Sequence, residues 1–554
     1  MADAERPGAE YVYEALREAG VDLLVGLPGT QTLPLDRIVA NREEIEYLMA
    51  RHETAIPHVA WGHYETGGDV AATLTVPGPG EANAAHGLYN AYEDGVPIIH
   101  LAADVNPGDR GKRPIHEIDP GAFDAFVKEN VTVSEAVELG PELARGIEVA
   151  LSPPRGPVRI GVPAGLLASD LWTPTATVDP ERIDRDNGGA YDRAADLLAV
   201  AKRPVVYAGK ELRRDSGGPR IVRDLASALD APVLVSLKGK GVFPEDHPRF
   251  VGVTGEHLPA GGWKVLDRAD AVLALGTDFN GITTADWTLP MGEVLVHVTA
   301  REFNPAYDPD VKIRANAAEA GEAILERLGG ETENSWDGER IGRAVRAEYE
   351  ERLADSGLFA PSKAYTVGVY RELRERLPRE TVVTTDIGGH RLWATQTFAA
   401  YDPETYVTAG SWAGMGVGLP AAMGAKLANP DRPVLCLTGD GGLMMCIAEL
   451  HTAVERDLDV AIVVLNDADY GIVSQLADFE ADRPFRWDSP DFAAIAEGFG
   501  CRATRVESAG AAADAVEAAL EREGGPELVE VVLERDDPSV YDAAGDESAL
   551  DLPE

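Results

Sequence analysis

The chain has 554 residues, 45% of them apolar, enough for several separately cored domains. Its 94 acidic residues against 50 basic ones leave a net charge of −44, which repels phosphate backbones and excludes nucleic acid as a partner. No run of eighteen apolar residues predicts a membrane span, the polar start Met1–Pro7 is no signal peptide, and three cysteines are too few for a disulfide framework. A cytoplasmic protein is expected. The acids are spread along helical segments such as Glu339–Arg352, which reads as a solvated surface suited to high salt.

Three stretches each alternate short apolar strands with amphipathic helices, the pattern of parallel α/β domains of Rossmann-like or flavodoxin-like type. The first, residues 7–168, has strands expected at Leu23–Val25, Ala71–Val76, Ile98–Ala102 and Val158–Val162. A Pro- and Asp-rich linker runs from Ala168 to Gly189. The second domain, 190–330, has strands near Pro204–Ala208, Pro232–Ser236, Ala271–Leu275 and Val294–Val298. A polar break at Gly329–Gly338 leads into a charged helix ending near Ala354. The third domain, 362–537, has strands at Thr381–Thr385, Val434–Thr438, Ala461–Leu465 and Leu528–Leu533. Residues 538–554 form an acidic tail, expected to be disordered.

Two loops of the third domain carry chemistry. Strand Val434–Thr438 runs into Gly439-Asp440-Gly441-Gly442, and the next strand ends in Asn466-Asp467-Ala468-Asp469. Ligands in open α/β sheets sit beyond the carboxyl ends of strands, so these loops can face each other. Glycines let a phosphate approach the main chain, and two carboxylates offer the hard oxygens that Mg2+ takes alongside a phosphate.

The pair resembles the motif of thiamine diphosphate-dependent enzymes, which opens Gly-Asp-Gly and closes Asn-Asn; here the closing pair is Asn466-Asp467. Further motifs in family order extend the resemblance over roughly residues 8–540, to the acetolactate synthase-like branch that includes acetohydroxyacid synthase large subunits and benzoylformate decarboxylases. They are Val25-Gly26-Leu27-Pro28-Gly29, Arg51-His52-Glu53, Pro77-Gly78-Pro79-Gly80 with Asn83, Lys238-Gly239-Lys240-Gly241, Asp386-Ile387-Gly388-Gly389-His390 and Gly414-Met415-Gly416.

The resemblance implies thiamine diphosphate held by Mg2+, with the Asp440 carboxylate, the Asp467 side chain and the Asp469 carbonyl as metal ligands. It implies that Glu53 hydrogen-bonds the cofactor's pyrimidine ring, that Gly414 and Met415 prop its bent shape, and that Gly388, Gly389, His390, Gly439, Gly441, Gly442, Tyr470 and Gly471 surround its diphosphate. A flavin in the central domain stays open. The resemblance also implies a homo-oligomer, a dimer or tetramer, whose active sites are shared between subunits.

The match thins at the substrate. His116, in Ile115-His116-Glu117, stands where the synthases carry glutamine, either as a proton carrier near the reacting carbon or as a polar interface contact. Ser474 and Leu476 replace an arginine and a tryptophan of the synthases. Two readings of a 2-oxo acid enzyme follow: a carboligase that decarboxylates pyruvate and adds the two-carbon unit to a second carbonyl, or a plain decarboxylase. A non-catalytic nucleotide-binding protein is the remote third, since no Gly-x-Gly-x-x-Gly follows the first strand.

Overall fold

A computed structural model describes residues 5–183, 187–215, 217–329, 332–477, 485–545 and 547–552. Three six-stranded sheets, parallel throughout, lie in chain order. The first holds β1 (Leu23–Gly26), β2 (Glu46–Met49), β3 (Ala71–Thr75), β4 (Ile98–Asp104), β5 (Glu129–Thr132) and β6 (Val158–Pro163). The second holds β7 (Pro204–Ala208), β8 (Val233–Val235), β9 (Phe250–Val253), β10 (Ala271–Leu275), β11 (Val294–Thr299) and β12 (Val311–Arg314). The third holds β13 (Val382–Thr385), β14 (Tyr406–Thr408), β15 (Val434–Gly439), β16 (Val460–Asn466), β17 (Arg502–Val506) and β18 (Glu527–Val532).

The first sheet runs β2-β1-β3-β4-β6-β5, and the third runs β14-β13-β15-β16-β18-β17, the same order. The central sheet, β9-β8-β7-β10-β11-β12, has instead the doubly wound order of dinucleotide folds. Its inner strands are rich in Val, Leu and Ala, broken by Tyr207 and His297, because helices cover both faces.

Five helices position the chemistry-bearing loops and cavities: α1 (Ala55–Glu65), α2 (Pro79–Asp94), α3 (Gly338–Asp355), α4 (Gly389–Thr397) and α5 (Gly418–Ala428). Every residue of α1 is buried, as its mostly apolar circumference demands. It lies between its own sheet and α5, and one apolar core spans both, from Val59 and Trp61 to Leu419 and Met423. The helices touch main chain to main chain. A Cβ at Gly424 would stand 2.0 Å from the Val59 carbonyl oxygen, and one at Gly62 would stand 2.3 Å from that of Ala421. Only glycine permits this approach.

The tail departs from expectation. Val540–Ala544 form a short helix capped by Ser539. Beyond it, Lys264 Nζ donates to the carbonyls of Ser548 and Leu550, and Glu348 accepts from Ser548 Oγ at 2.8 Å. Leu550 and Leu552 pack on the central core. A few apolar residues and well-placed cations thus order most of a segment whose composition alone reads as disordered; residues 546, 553 and 554 lie outside the described residues. No helix among the described residues is long and apolar enough to cross a membrane.

Candidate active site

Strand β15 ends at Gly439 and β16 at Asn466, side by side, so their loops share one cleft of about 300 Å3. Asp440, Asp467 and Asp469 line it, as do Gly388, Gly389 and His390 from the start of α4, Gly439, Gly441 and Gly442 from the β15 loop, and Tyr470 and Gly471. Met415 lines it too, half-buried at the cleft rather than packed in a core. Gly414 is not part of this lining; a Cβ there would stand 1.9 Å from the His86 ring.

Asp440 is 3% exposed, and its Oδ2 has no hydrogen-bond partner. Burial first, then the neighbouring Asp467 carboxylate, pushes its pKa up to about 7. His390 Nε2 is likewise buried and unpartnered, and burial followed by adjacent Arg391 brings this ring down to about 4, neutral at pH 7. The Asp469 carboxylate is turned away: Oδ1 accepts from Ser474 Oγ at 2.8 Å and Oδ2 lies 3.6 Å from Arg486. Among the described residues, no three His, Cys, Asp or Glu side chains are grouped to hold a metal. A two-carboxylate site would therefore need the Asp469 main chain as a third ligand.

A second cluster forms in the first domain. Asn83 Nδ2 donates to Glu53 Oε2 at 3.0 Å, and Gln31 Nε2 lies 3.2 Å from His116 Nδ1. Gly78, at φ +65°, presses on the His116 carbonyl, where a Cβ would come within 2.6 Å. Beneath, fully buried Arg159 holds Glu81 in the first turn of α2 at 2.5 Å. The Arg51 and His52 amides both donate to Glu449 at 3.0 Å, tying the Glu53 segment to the third domain of the same chain.

Four residues of the site were given no role by the sequence. Asp386, wholly buried, accepts from the amides of Ile387, Gly416 and Gly418 at 2.7, 2.9 and 3.0 Å, and so holds the loop that carries Met415. Its place in the Asp-Ile-Gly-Gly-His motif was the available signal. Asp537 lines the cleft from the far end of the third domain, and burial raises it to about 7. Trp487 meets Tyr470 edge to face at 4.8 Å, and nothing in the spacing points to it. Gln31 had no signal beyond lying in the first-strand loop.

The sequence of the chain matches three successive family descriptions: Thiamine pyrophosphate enzyme, N-terminal TPP binding domain, over residues 6–123; central domain, over 191–327; and C-terminal TPP binding domain, over 386–531. The chain belongs to the thiamine pyrophosphate enzymes. Within that family it is acetolactate synthase-like along nearly its whole length. It is 28% identical over 540 residues to the acetolactate synthase isozyme 1 large subunit of Escherichia coli, covering 96% of this chain and 94% of that one. The probable acetolactate synthase large subunit of Methanocaldococcus jannaschii is 28% identical over 548 residues, covering 95% and 92%. The mitochondrial acetolactate synthase catalytic subunit of Saccharomyces cerevisiae is 27% identical over 569 residues, covering 97% and 82%.

The residues of the cleft fit the cofactor this family name implies. The free Oδ2 of Asp440 suits a cation, and the unpartnered His390 Nε2 suits an anionic diphosphate. The floor has no room for side chains: a Cβ at Gly442 would stand 2.8 Å from Asp386, and one at Gly471 would stand 2.3 Å from Asp467 Oδ2, while the Gly441 amide donates to Asp440 Oδ1 at 2.8 Å.

Proposed function

We propose that this enzyme is a thiamine diphosphate- and Mg2+-dependent carboligase of the acetolactate synthase type, which decarboxylates pyruvate and transfers the two-carbon unit to a second carbonyl. The observation that carries this reading is the cleft in which an unpartnered carboxylate oxygen, an unpartnered imidazole nitrogen and a glycine floor converge. The bound cofactor supplies the carbanion-stabilising chemistry. The protein supplies the rest. Asp440, Asp467 and the Asp469 carbonyl would hold the metal; His390 and the amides of Gly388, Gly389, Gly441 and Gly442 would hold the diphosphate. Met415 would prop the cofactor, Glu53 would hydrogen-bond its pyrimidine ring, and His116, 3.2 Å from Gln31, would carry a proton for the substrate. Tyr470 would stand beside the cofactor, its ring meeting Trp487 edge to face.

The active unit is a homo-oligomer, at least a dimer, with domains at 7–168, 190–330 and 362–537. The described residues lining the cleft run from Thr366 to Val540, so Glu53 is not among them. A second copy bringing its Glu53 face completes the site. Trp412, Met444 and Met445, 41 to 53% exposed, are the apolar surface such a partner would cover. The free, buried cysteines Cys436, Cys446 and Cys501 suit a reducing cytoplasm, and the charge suits high salt.

No step is assigned to a flavin. At the carboxyl ends of β7, β10 and β11, Glu211 accepts from Thr299 Oγ1 and the Ala300 amide at 2.7 and 2.8 Å, and Asp278 pairs with Lys210 at 2.7 Å. Those donors already serve carboxylates.

A plain decarboxylase is the second reading, favoured by one observation. Ser474 is 2% exposed and bonded to Asp469, and Leu476 is 69% exposed, so neither offers an acceptor acid a cationic or aromatic hold. Product analysis with pyruvate in high salt separates the two. Acetolactate supports the carboligase, acetaldehyde alone the decarboxylase, and no turnover across a panel of 2-oxo acids overturns both.

A further inference from the structure

The loop 409–416 brings Met415 to the cofactor cleft, and one face of helix α2 holds it. The Gly410 amide donates to Asp94 Oδ2 at 3.4 Å, Ser411 Oγ to Glu93 Oε2 at 3.0 Å, and the Trp412 indole nitrogen to His86 Nδ1 at 2.9 Å. His86 lies about two helical turns before Glu93 and Asp94, so the three side chains point the same way. From the opposite side Asp386 takes the Gly416 amide at 2.9 Å. Between these supports Ala413 stands at φ +50°, a left-handed conformation that alanine keeps only where its surroundings impose it.

His86 grips the middle of this loop. An indole N–H can only donate, so Nδ1 accepts and the proton of the neutral ring sits on Nε2. That nitrogen is the one nearer the Met415 segment: a Cβ at Gly414 would stand 2.5 Å from Nε2 and 3.1 Å from Nδ1. The ring bonds the Met415 main chain in the sense that favours a proton on the ring, which makes the partner the carbonyl. Burial lowers the His86 pKa and keeps the ring neutral at pH 7. Its neighbour His58, fully buried and brought down to about 3 by burial and then by His86, meets it edge to face at 5.1 Å. His86 does not itself line the cleft.

We propose that His86 is a positioning residue of the cofactor site: locked in one tautomer by Trp412, it donates from Nε2 to the Met415 carbonyl and so sets how far the Met415 side chain reaches into the cleft. A main-chain carbonyl held by a ring on a packed helix cannot drift, and the side chain two bonds away is fixed with it. The inference rests on the reading that Met415 props bound thiamine diphosphate. It adds that the prop is set from the first domain of the same chain, by a histidine that touches neither cofactor nor substrate.

Calorimetric titration of the full chain with thiamine diphosphate at saturating Mg2+ tests it, since it reads affinity and not turnover. His86→Leu, which keeps bulk and loses both bonds, should bind about tenfold more weakly than the wild type. His86→Gln, whose amide reaches as far as Nε2, should recover most of that loss. His86→Asn, whose amide reaches only as far as Nδ1, should not, and it replaces His86→Leu throughout if the leucine variant does not fold by circular dichroism. In a Met415→Ala background the same His86 substitution should change affinity by less than about twofold, because the side chain it positions is gone. Wild-type affinity in the folded leucine or asparagine variant, no recovery with glutamine, or an undiminished loss in the Met415→Ala background overturns the inference and leaves the cofactor reading standing. A wild-type chain that does not bind thiamine diphosphate overturns both.

Discussion

The contact between α1 and α5 sets where the two clusters of chemistry stand, because each helix begins beside one of them. Glu53 lies two residues before α1, and Met415 lies three before α5. In Gly424→Ala the new Cβ would meet the Val59 carbonyl oxygen at 2.0 Å and the His63 amide nitrogen at 2.7 Å; in Gly62→Ala it would meet the Ala421 oxygen and Cα at 2.3 and 2.6 Å. All four are main-chain atoms and cannot rotate away, so the helices must part by about 1 Å. Overpacking by one methyl costs about 1–3 kcal/mol, and a main-chain clash belongs at the upper end. In a domain of this size 3 kcal/mol lowers the thermal midpoint by roughly 6–12 °C. A displacement of about 1 Å between catalytic groups costs turnover on the order of a hundredfold.

Gly498→Ala is the control. It sits in the helix Phe492–Phe499 with nothing within 4 Å of its Cβ position, and should stabilise by about 0.4–1 kcal/mol. Circular dichroism melts and turnover in one salt compare the three variants. If Gly62→Ala and Gly424→Ala keep the wild-type midpoint within about 2 °C and full turnover, the helix contact does not set the site.

With its folded pKa at about 7, above the ordinary carboxylate value, Asp440 makes the metal-free folded chain bind more protons than the unfolded one, so its stability should rise as pH falls from about 7 toward 4. Mg2+ must displace that proton, so its affinity should fall up to tenfold per unit below about pH 7; Asp440→Asn should remove the pH dependence, and affinity flat across neutrality in the wild type refutes it. His116→Gln should lower turnover, and Gln31→Leu, which removes the 3.2 Å contact, should do so in part; unchanged turnover in both excludes a proton-carrying role. The thermal midpoint should rise from dilute buffer to molar KCl as screening shortens from about 10 Å to 3 Å; equal midpoints would show that the −44 charge needs no salt.

What the sequence disclosed of the fold tracks burial. The twelve strands legible as apolar runs are the four inner strands of each sheet, and the six missed, β2, β5, β9, β12, β14 and β17, are the edges. Inner strands are covered on both faces and read as continuous Val, Ile and Leu. Edge strands are short and several mix in charge, as in Glu46-Tyr47-Leu48-Met49 and Arg502-Ala503-Thr504-Arg505-Val506, so they look like loops. The site shows the same division. Asp440 and Asp467 close consecutive strands, and local spacing exposes them. Asp537, Trp487 and Gln31 reach their places through strand order and chain return, which no local pattern encodes. The tail was misread because two leucines and a capping serine decide its order, too few to alter its composition.

The shared strand order of the first and third sheets puts the two clusters on related frames, Glu53 and His116 on one, Asp440 and His390 on the other. If a site forms between subunits, its Glu53 and its Asp440 come from different chains, and two inactive variants can rescue each other. In a dimer of Glu53→Gln with Asp440→Asn, one site receives both substitutions and the other receives neither. Random reassortment makes half the dimers mixed, each with one intact site of two, so about one quarter of wild-type activity should return. Were each site built within one chain, every site in the mixture would carry a substitution and none would return. The experiment needs only that both variants fold and exchange subunits, which mixed dimers carrying two affinity tags would report. Activity near a quarter places the site between chains; activity at the level of the parent variants, with mixed dimers present, places it within one.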